Sequence, residues 1–319
     1  MIEYPGTFWK DYELVDSGDG EKLERFGNYY MIRPEPKALW GKTMPAGEWE
    51  RMAHTRFRPG AGFAKAGKED SGTWERLKRT DDQWYIKYHG AQNGLDFSLR
   101  LGLTSFKHVG VFPEQSSNWE YIYRETSKLV DNARKKPTAP GVAADGRPKV
   151  LNLFAYTGGA TVACAKAGAS VCHVDAAKGM VAWAKDNARL SGLSDAPIRW
   201  IVDDCAKFVE REIRRGKTYD AIIMDPPSYG RGPGGEVWKL EDNLYPFVEL
   251  CARVLSDKPL FVILNSYTTG LAPSVLGYIL HMLVGRKFGG HVTWDELGLP
   301  CTDSGMALPC GATGRWCAD

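Results

Sequence analysis

The sequence predicts an α/β protein in which helices cover a parallel sheet, preceded by a small β-rich N-terminal domain. Two observations support this fold class. Short strand-like segments separated by turn formers fill the chain up to about residue 105, whereas apolar strands alternate with helical segments from Lys149 onward. Strands that are apolar on both faces are typical of parallel sheets covered by helices. The chain of 319 residues is longer than one compact domain usually is, which favours two.

The N-terminal domain is expected to span residues 1–105. Its candidate strands are rich in aromatic and β-branched residues and are bounded by Gly, Asn, Asp, Ser and Pro. We predict strands at Tyr12–Val15, Tyr29–Arg33, Trp84–Tyr88 and Phe97–Leu101.

A connecting segment, residues 106–148, is expected to follow. Residues Asn118 to Lys136 have a helix-forming composition, with apolar side chains that share one face of a helix. Residues Lys136 to Pro148 are rich in Pro, Gly and Ala and predict a loop or linker.

The C-terminal domain, residues 149–319, is predicted to alternate strands and helices. The tail around Arg315 and Trp316 predicts a final strand with a packed Trp; the alternative is that both side chains touch a substrate beside the crevice. Predicted strands are Val150–Phe154, Ala169–Asp175, Ile198–Val202, Tyr219–Met224 and Leu260–Asn265, and predicted helices are Gly159–Lys166, Lys178–Ser191, Cys205–Arg215 and Asn243–Leu255.

The charge balance gives no global attraction to nucleic acid or to a membrane. The chain carries 41 Lys+Arg against 39 Asp+Glu, a net charge of +2. Between Arg51 and Arg100, however, ten basic residues stand against six acids, and aromatic residues lie among them. Cations that hold phosphates beside rings that stack on unpaired bases suit RNA, although strand aromatics are more often core residues. The aromatic residues concerned are Trp74, Trp84, Tyr85 and Tyr88.

The cysteines and the apolar runs predict a cytoplasmic protein. Seven cysteines occur without CxxC pairs or His/Cys clusters, so we expect reduced thiols and neither a disulfide framework nor a metal site. No uninterrupted apolar run approaches the roughly 18 residues that span a bilayer.

A glycine-containing turn follows the first strand of the C-terminal domain. It comprises Phe154, Ala155, Tyr156, Thr157 and Gly158 and leads into a small-residue helix. Such a turn lets backbone approach a ligand closely, and the following helix presents its first amides there. The turn lacks the GxGxxG pattern of a pyrophosphate site, which argues against a nicotinamide-dependent dehydrogenase.

Acidic residues end the next two strands. Asp175 stands at the distance from the glycine turn at which nucleotide-binding βαβ units place an acid on the ribose hydroxyls. The alternative is that Asp175 caps the helix beginning near Lys178. Asp204, at the end of the third strand, is predicted to accept a hydrogen bond from an adenine amine, or else to cap the helix that starts at Cys205.

The fourth strand ends in Asp225-Pro226-Pro227-Ser228-Tyr229. Two prolines directly after a buried strand remove backbone donors and fix a rigid turn, which aims the Asp225 carboxylate into the crevice at the end of the sheet. Such a turn can accept hydrogen bonds from a planar nitrogen nucleophile while Tyr229 stacks on its ring. The alternative is a purely structural turn. We predict Asp225, Pro226, Pro227 and Tyr229 as the catalytic residues.

Asn152 to Gly159, Asp175, Asp204 and Asp225-Pro226-Pro227 occur in an order and spacing that resemble class I S-adenosylmethionine-dependent methyltransferases. More narrowly, the chain is similar to the family of bacterial large-subunit ribosomal RNA methyltransferases. The resemblance implies a Rossmann-like catalytic domain, S-adenosyl-L-methionine as cofactor with Asp225 among its contacts, and an RNA substrate such as ribosomal RNA.

The segment Phe106 to Gln115 is similar to the family segment that closes over the methionine end of the cofactor. The resemblance therefore implies that Phe112 and Gln115 contact the cofactor.

The chain departs from the family members that methylate cytosine carbon-5, since these need a cysteine nucleophile. Ser228 follows the two prolines, and Leu264 to Thr268 contains no cysteine. We therefore expect methyl transfer to nitrogen or oxygen without a covalent intermediate. The N-terminal region shows no counterpart of the PUA module of some relatives. A small molecule or a protein as methyl acceptor, and a non-catalytic RNA-binding protein that retains the fold, stay open as alternatives.

Overall fold

A computed structural model describes residues 9–61, 71–135, 146–231 and 237–319. Most of the predicted linker, residues 136–145, lies outside the described residues, as do Lys65 and Lys68 of the basic region.

The N-terminal region forms a five-stranded sheet and a separate two-stranded hairpin. In the five-stranded sheet the strands pair in chain order, all antiparallel except the parallel pair β3 and β4. A short helix, α1, connects that parallel pair. The elements are β1 (Tyr12–Gly18), β2 (Glu21–Phe26), β3 (Tyr29–Pro34), α1 (Ala46–Met52), β4 (Thr55–Pro59) and β5 (Gly72–Arg76) in the sheet, and β6 (Gln83–His89) and β7 (Asp96–Gly102) in the hairpin.

The four predicted N-terminal strands are confirmed as β1, β3, β6 and β7. Trp84 and Tyr88 are buried, which supports the core interpretation of these two rings, whereas Tyr85 is 59% exposed. Arg58 and Arg76, in the basic stretch, form ion pairs with acids of the same region.

The C-terminal region contains a seven-stranded sheet in the order β10-β9-β8-β11-β14-β16-β15. Its first five strands are parallel, and β15 and β16 form an antiparallel hairpin paired to β14. A two-stranded hairpin, β12 and β13, follows β11. The strands are β8 (Lys149–Leu153), β9 (Ser170–Asp175), β10 (Ile198–Val202), β11 (Ala221–Met224), β12 (Tyr229–Arg231), β13 (Val237–Lys239), β14 (Phe261–Ser266), β15 (His291–Pro300) and β16 (Ala307–Cys317).

Helices cover both faces of this sheet, and a 3₁₀ turn at Pro113–Gln115 leads into the first of them. The last helix continues into a π-helical turn, His281–Gly285, and a short helix, Arg286–Phe288. The helices are α2 (Ser116–Lys135), α3 (Gly159–Lys166), α4 (Lys178–Leu190), α5 (Cys205–Arg214), α6 (Leu240–Ala252) and α7 (Pro273–Leu280). The predicted Rossmann-like α/β fold with a β-rich N-terminal region is confirmed.

The C-terminal tail is a strand, as predicted, but it does not end the sheet. Strand β16 lies between β14 and β15, and β15 forms the edge. Trp316 is fully buried, which confirms the packing interpretation. Arg315 is 7% exposed, and its guanidinium Nε donates to Asn118 Oδ1.

One hydrophobic cluster joins the N-terminal strands to the large sheet. Successive residues of β8 point to opposite faces: Val150 belongs to this cluster, and Leu151 belongs to a second cluster with α5 and α6. The shared cluster contains Trp9, whose ring lies 4.9 Å from that of Tyr88 and 5.8 Å from that of Trp119 in α2. The N-terminal strands therefore cover the same face of the sheet as α2 and α3.

The end of β15 also pairs with the first strand of the chain. Leu14 and Cys301 form a parallel bridge, the Thr302 amide donates to the Leu14 carbonyl, and the Asp303 amide donates to the Val15 carbonyl. Residues from both ends of the described chain are thus joined by backbone hydrogen bonds.

Within the described ranges no helix combines the length and the apolar character needed to cross a membrane. The same residues contain no group of three or more His, Cys, Asp or Glu side chains placed to hold a metal ion. The seven cysteines are free, and six of them are buried.

Candidate active site

A cleft opens at the carboxyl end of the parallel strands. Its walls come from the turn after β8, from the 3₁₀ turn before α2, and from the ends of β11 and β14. The predicted residues Phe112, Gln115 and Asp225 all line it. Ligands of open α/β sheets bind at this position, because the loops that follow the strands meet there.

The turn after β8 lines one side of the cleft with all five predicted residues, from Phe154 to Gly158. Phe154, Tyr156 and Gly158 have φ angles of 55°, 49° and 84°. Non-glycine residues rarely adopt positive φ, at a cost of roughly 1–3 kcal/mol, and such strain concentrates at ligand sites. A Cβ added at Gly159 would lie 2.7 Å from the Trp119 ring, so the turn needs glycine there.

Asp175, at the end of β9, holds this turn. Its Oδ2 accepts from the Tyr156 amide at 2.9 Å, and its Oδ1 accepts from the Ala177 amide at 2.8 Å. The N-cap residue of α4 is Ala177, so Asp175 does not cap that helix. Burial raises the pKa of this carboxyl above its ordinary value, and the two backbone amides oppose that shift. Asp175 therefore ties the strand end to the turn beside the cleft.

Asp204 is the N-cap of α5, since its Oδ1 accepts from the Lys207 amide at 2.9 Å. One oxygen of the Asp204 side chain therefore caps the helix, as the capping alternative predicts. The neighbouring Asp203 is engaged with the Asp204 amide and with Arg211. Neither carboxylate contributes to the described lining of the cleft.

Asp225 follows β11 and presents its side chain to the cleft. Within the described residues its Oδ1 atom is buried and has no hydrogen-bond partner. Burial, and after it the charge of Glu114, raise the pKa of Asp225 to about 7. A buried carboxylate oxygen without a donor is costly, and such groups cluster at functional sites.

The two prolines and Tyr229 lead from the cleft into the β12–β13 hairpin. The Pro227 carbonyl accepts from Trp238 Nε1 at 2.6 Å, which fixes the turn on that hairpin. Tyr229 pairs with Lys239 in the hairpin and is half-buried. Of the four predicted catalytic residues, Asp225 belongs to the described lining of the cleft, whereas Pro226, Pro227 and Tyr229 lie outside it.

Sequence reasoning missed Asn152, Trp119, Asn265 and Tyr267. The first three line the cleft, and the Tyr267 ring lies 5.6 Å from that of Phe112. A signal was present, because Asn265 and Tyr267 end the strand adjacent to β11.

These features fit a sulfonium nucleoside. The glycine turn with its positive φ angles brings backbone to the cleft, and the aromatic rings of Phe112 and Tyr156 lie 5.3 Å apart at its wall. Asp225 also lines the cleft, and its Oδ1 atom is buried without a partner among the described residues. Such a cleft has a mainly apolar lining with few polar groups, as cofactor sites do.

Residues 130–240 match the family model described as S-adenosylmethionine-dependent methyltransferase. The crystal structure of the SAM-dependent methyltransferase from Agrobacterium tumefaciens is 37% identical in sequence, with a TM-score of 0.83, and the match covers 100% of this chain and 93% of that one. SMU.776, solved in complex with SAH, has a TM-score of 0.65 at 18% identity, covering 96% of this chain and 75% of that one.

Ribosomal RNA large subunit methyltransferase K/L from Shewanella baltica is 36% identical over 174 residues. That match covers 54% of this chain and 21% of the relative, so the chain spans about a fifth of the length of the curated relatives it matches. The Agrobacterium protein, in contrast, aligns over nearly its whole length. The fold, the cleft and these comparisons together show that the chain belongs to the S-adenosylmethionine-dependent methyltransferases and uses S-adenosyl-L-methionine as its cofactor.

Proposed function

We propose that this protein transfers a methyl group to a nitrogen, or else an oxygen, of RNA such as ribosomal RNA. Asp225 carries the proposal, because it lines the cleft and its buried Oδ1 atom has no donor among the described residues, which suits a nucleophile that brings its own N–H or O–H group. The name of the Shewanella relative supports RNA as the methyl acceptor.

The cofactor would lie along the turn from Phe154 to Gly158, with its ribose near Asp175. Each Asp175 oxygen already accepts one backbone amide and retains a lone pair for a hydroxyl group. Asp204 would reach the adenine with the oxygen that does not cap α5. Phe112 and Gln115, in the segment 106–148, would cover the methionine end.

The bound cofactor supplies a methyl group already activated on a sulfonium. The protein therefore has to place the nucleophile in line with that methyl carbon and exclude water. Asp225 accepts a hydrogen bond from the nitrogen and directs its lone pair toward the methyl carbon. The cofactor would supply the methyl group without its bonding electron pair, which sulfur would keep, and Asp225 would take the proton that the methylated nitrogen loses. A carboxyl with a pKa of about 7 is suited to that transfer near neutral pH.

The cysteines support a route without a covalent intermediate. None of the seven lines the described cleft. Cys205, near the turn, accepts a hydrogen bond from the Phe154 amide, and burial raises the pKa of its thiol well above the ordinary value. A thiol held neutral in this way is a poor nucleophile.

The experiment incubates the protein with methyl-labelled cofactor and the separated fractions of a strain lacking the gene: total RNA, ribosomal subunits, protein and small molecules. Label in RNA, at a methylated nitrogen or oxygen after nuclease digestion, is the expected result. Label confined to protein or small molecules would overturn RNA as acceptor, and RNA binding without any transfer would favour the non-catalytic alternative.

A further inference from the structure

Hydrogen-bonded side chains, three of them amides, connect β16 to the cleft. The connection starts at Arg315, passes through Asn118 in α2, and reaches Gln115 at the cleft wall. Asn265, at the end of β14, joins it from the side. Asn118 and Asn265 are each 1% exposed. We call these four residues the amide chain.

The orientation of each amide follows from Arg315. A guanidinium can only donate, so the Asn118 atom 2.8 Å from Arg315 Nε must be the oxygen. The two hydrogens of Asn118 Nδ2 then point to Gln115 Oε1 at 2.9 Å and to Asn265 Oδ1 at 3.0 Å. Because its oxygen accepts from Asn118, Gln115 turns its nitrogen toward Tyr267.

Gln115 Nε2 donates to the Tyr267 hydroxyl at 2.7 Å. The hydroxyl oxygen is therefore an acceptor on the protein side, and its own hydrogen is free to point elsewhere. No described residue accepts that hydrogen. Burial raises the pKa of Tyr267 well above its ordinary value, which keeps the phenol protonated.

The ring of Tyr267 is held in place beside the cleft. Phe112 packs on it at 5.6 Å, and a Cβ added at Gly311 of β16 would lie 2.9 Å from its Cδ1 atom. Its position next to Asp225 follows from the sheet register, since Met224 pairs with Leu264 on adjacent parallel strands. The two loops that follow these strands are also joined, because Thr268 Oγ1 donates to Ser228 Oγ at 2.7 Å.

We propose that Tyr267 is a catalytic residue that donates a hydrogen bond to the methyl acceptor, and that Arg315, Asn118 and Gln115 are positioning residues that fix this donor direction. This inference rests on the proposed function and specifies more closely which chemical group accepts the methyl group. Asp225 accepts from the reacting nitrogen, while Tyr267 donates to an acceptor atom beside it. A donor next to an acceptor is the pattern of the Watson–Crick edge of a nucleobase, which proteins read in unpaired RNA.

The test compares Y267F, N118D and the double variant with the wild type. An aspartate at 118 keeps a partner for Arg315 but cannot donate, so Gln115 is free to turn its oxygen to Tyr267 and capture the hydroxyl hydrogen. Both single variants should lose kcat by about 100-fold, the effect of removing one donor to a transition state. Y267F, which leaves the bond between Gln115 and Asn118 in place, should change the cofactor Kd little. The double variant should be no slower than either single variant, because both remove the same hydrogen bond.

Controls separate this role from a structural one. The same Asn-to-Asp change at Asn243, whose side chain donates to the Lys239 carbonyl outside the cleft, should leave turnover near wild type. Multiplying losses in the double variant, or full activity of Y267F, would overturn the proposal. The methyl acceptor used in these assays is the fraction that the wild-type protein labels. If that fraction is not RNA, the proposed function is wrong, but the role of Tyr267 can still be tested with it.

A second readout needs no methyl acceptor. Side-chain amide signals of Gln115 in ¹⁵N NMR spectra, assigned by their loss in Q115L, should shift in both Y267F and N118D. An unmoved Gln115 signal in Y267F would show that this amide does not donate to Tyr267, and would overturn the proposed chain of orientation.

Discussion

Glu24 and Arg33 form a buried ion pair between neighbouring strands of the N-terminal sheet, with 2.6 Å between Glu24 Oε2 and Arg33 Nη2. Arg33 also donates to the Lys107 carbonyl at 3.1 Å, so the pair fastens the sheet to the segment that leads to the cleft. Tyr12 donates to the other Glu24 oxygen.

Breaking this ion pair should destabilise the protein strongly. Among the described residues, R33M leaves the buried Glu24 carboxylate with Lys22 as its one cationic partner, at 3.7 Å, and we expect a loss of about 3–5 kcal/mol in the free energy of unfolding. Urea denaturation measures it. R51M is the control, because Arg51 pairs with Glu48 on the surface, where an ion pair contributes roughly 0–1 kcal/mol. Equal losses of unfolding free energy in R33M and R51M would contradict the conclusion that burial makes the Glu24–Arg33 ion pair important for stability.

The same ion pair should give the protein acid sensitivity. Burial alone would raise the pKa of Glu24, but the charges of Arg33 and Lys22 prevail and lower it. A carboxyl with a depressed folded-state pKa stabilises the fold above its unfolded pKa, and that stability is lost as pH falls through the folded-state pKa. The melting temperature of E24Q should therefore fall less than that of the wild type when the pH is lowered below about 4.3, the ordinary value for Glu.

Replacing Asp225 should stop turnover while sparing cofactor binding. We expect D225A to lose about 100-fold or more in kcat, since it removes the acceptor of the nucleophile's proton. Calorimetry with S-adenosyl-L-methionine should show a Kd close to that of the wild type. Unchanged turnover would remove Asp225 from the mechanism.

The raised pKa of Asp225 has two separate consequences with pH. Methyl transfer should rise with pH through about 7, as the carboxyl becomes ionised. Stability moves the other way: the folded-state pKa lies above the unfolded one, so the contribution of this group is lost as pH rises toward 7. D225N should therefore gain in melting temperature relative to the wild type between about pH 4 and pH 7, with a constant advantage above. A wild-type rate that is flat across pH 7 would contradict the assignment of the proton acceptor.

A methyl group added at Gly159 should weaken cofactor binding. The new Cβ would meet the buried Trp119 ring at 2.7 Å, and the turn or the ring must shift. We expect G159A to raise the cofactor Kd by about tenfold or more, a change of about 1.4 kcal/mol, in calorimetry. G179A is the matched control, since nothing lies within 4 Å of its Cβ.

The inner strands of the central sheet, β8, β9, β11 and β14, were predictable because they are buried on both faces and carry their own apolar signal. Strand β2, Glu21–Phe26, was not, since four of its six residues are charged. It becomes a strand because Glu24 meets Arg33 of β3, a pairing between residues separated by a turn. Strand β15 was missed for a similar reason: much of it is exposed at the sheet edge.

The residues of the candidate site also differ in how far the sequence predicts them. Residues that follow strands directly, such as Asp175 and Asp225, could be found from local pattern. The position of Tyr267 after β14 carries the same local signal, but the orientation of its hydroxyl does not, because that orientation depends on Arg315, 48 positions further along the chain, and on an asparagine in α2. No local window contains all three.

The backbone bridge between Leu14 and Cys301 constrains the order of assembly. Strand β1 gains its pairing with Cys301 only after nearly three hundred further residues have been made. Closing so long a loop is slow, and until then the first strand keeps unpaired backbone groups exposed to other chains. We therefore expect the chain to be most prone to aggregation during its synthesis on the ribosome.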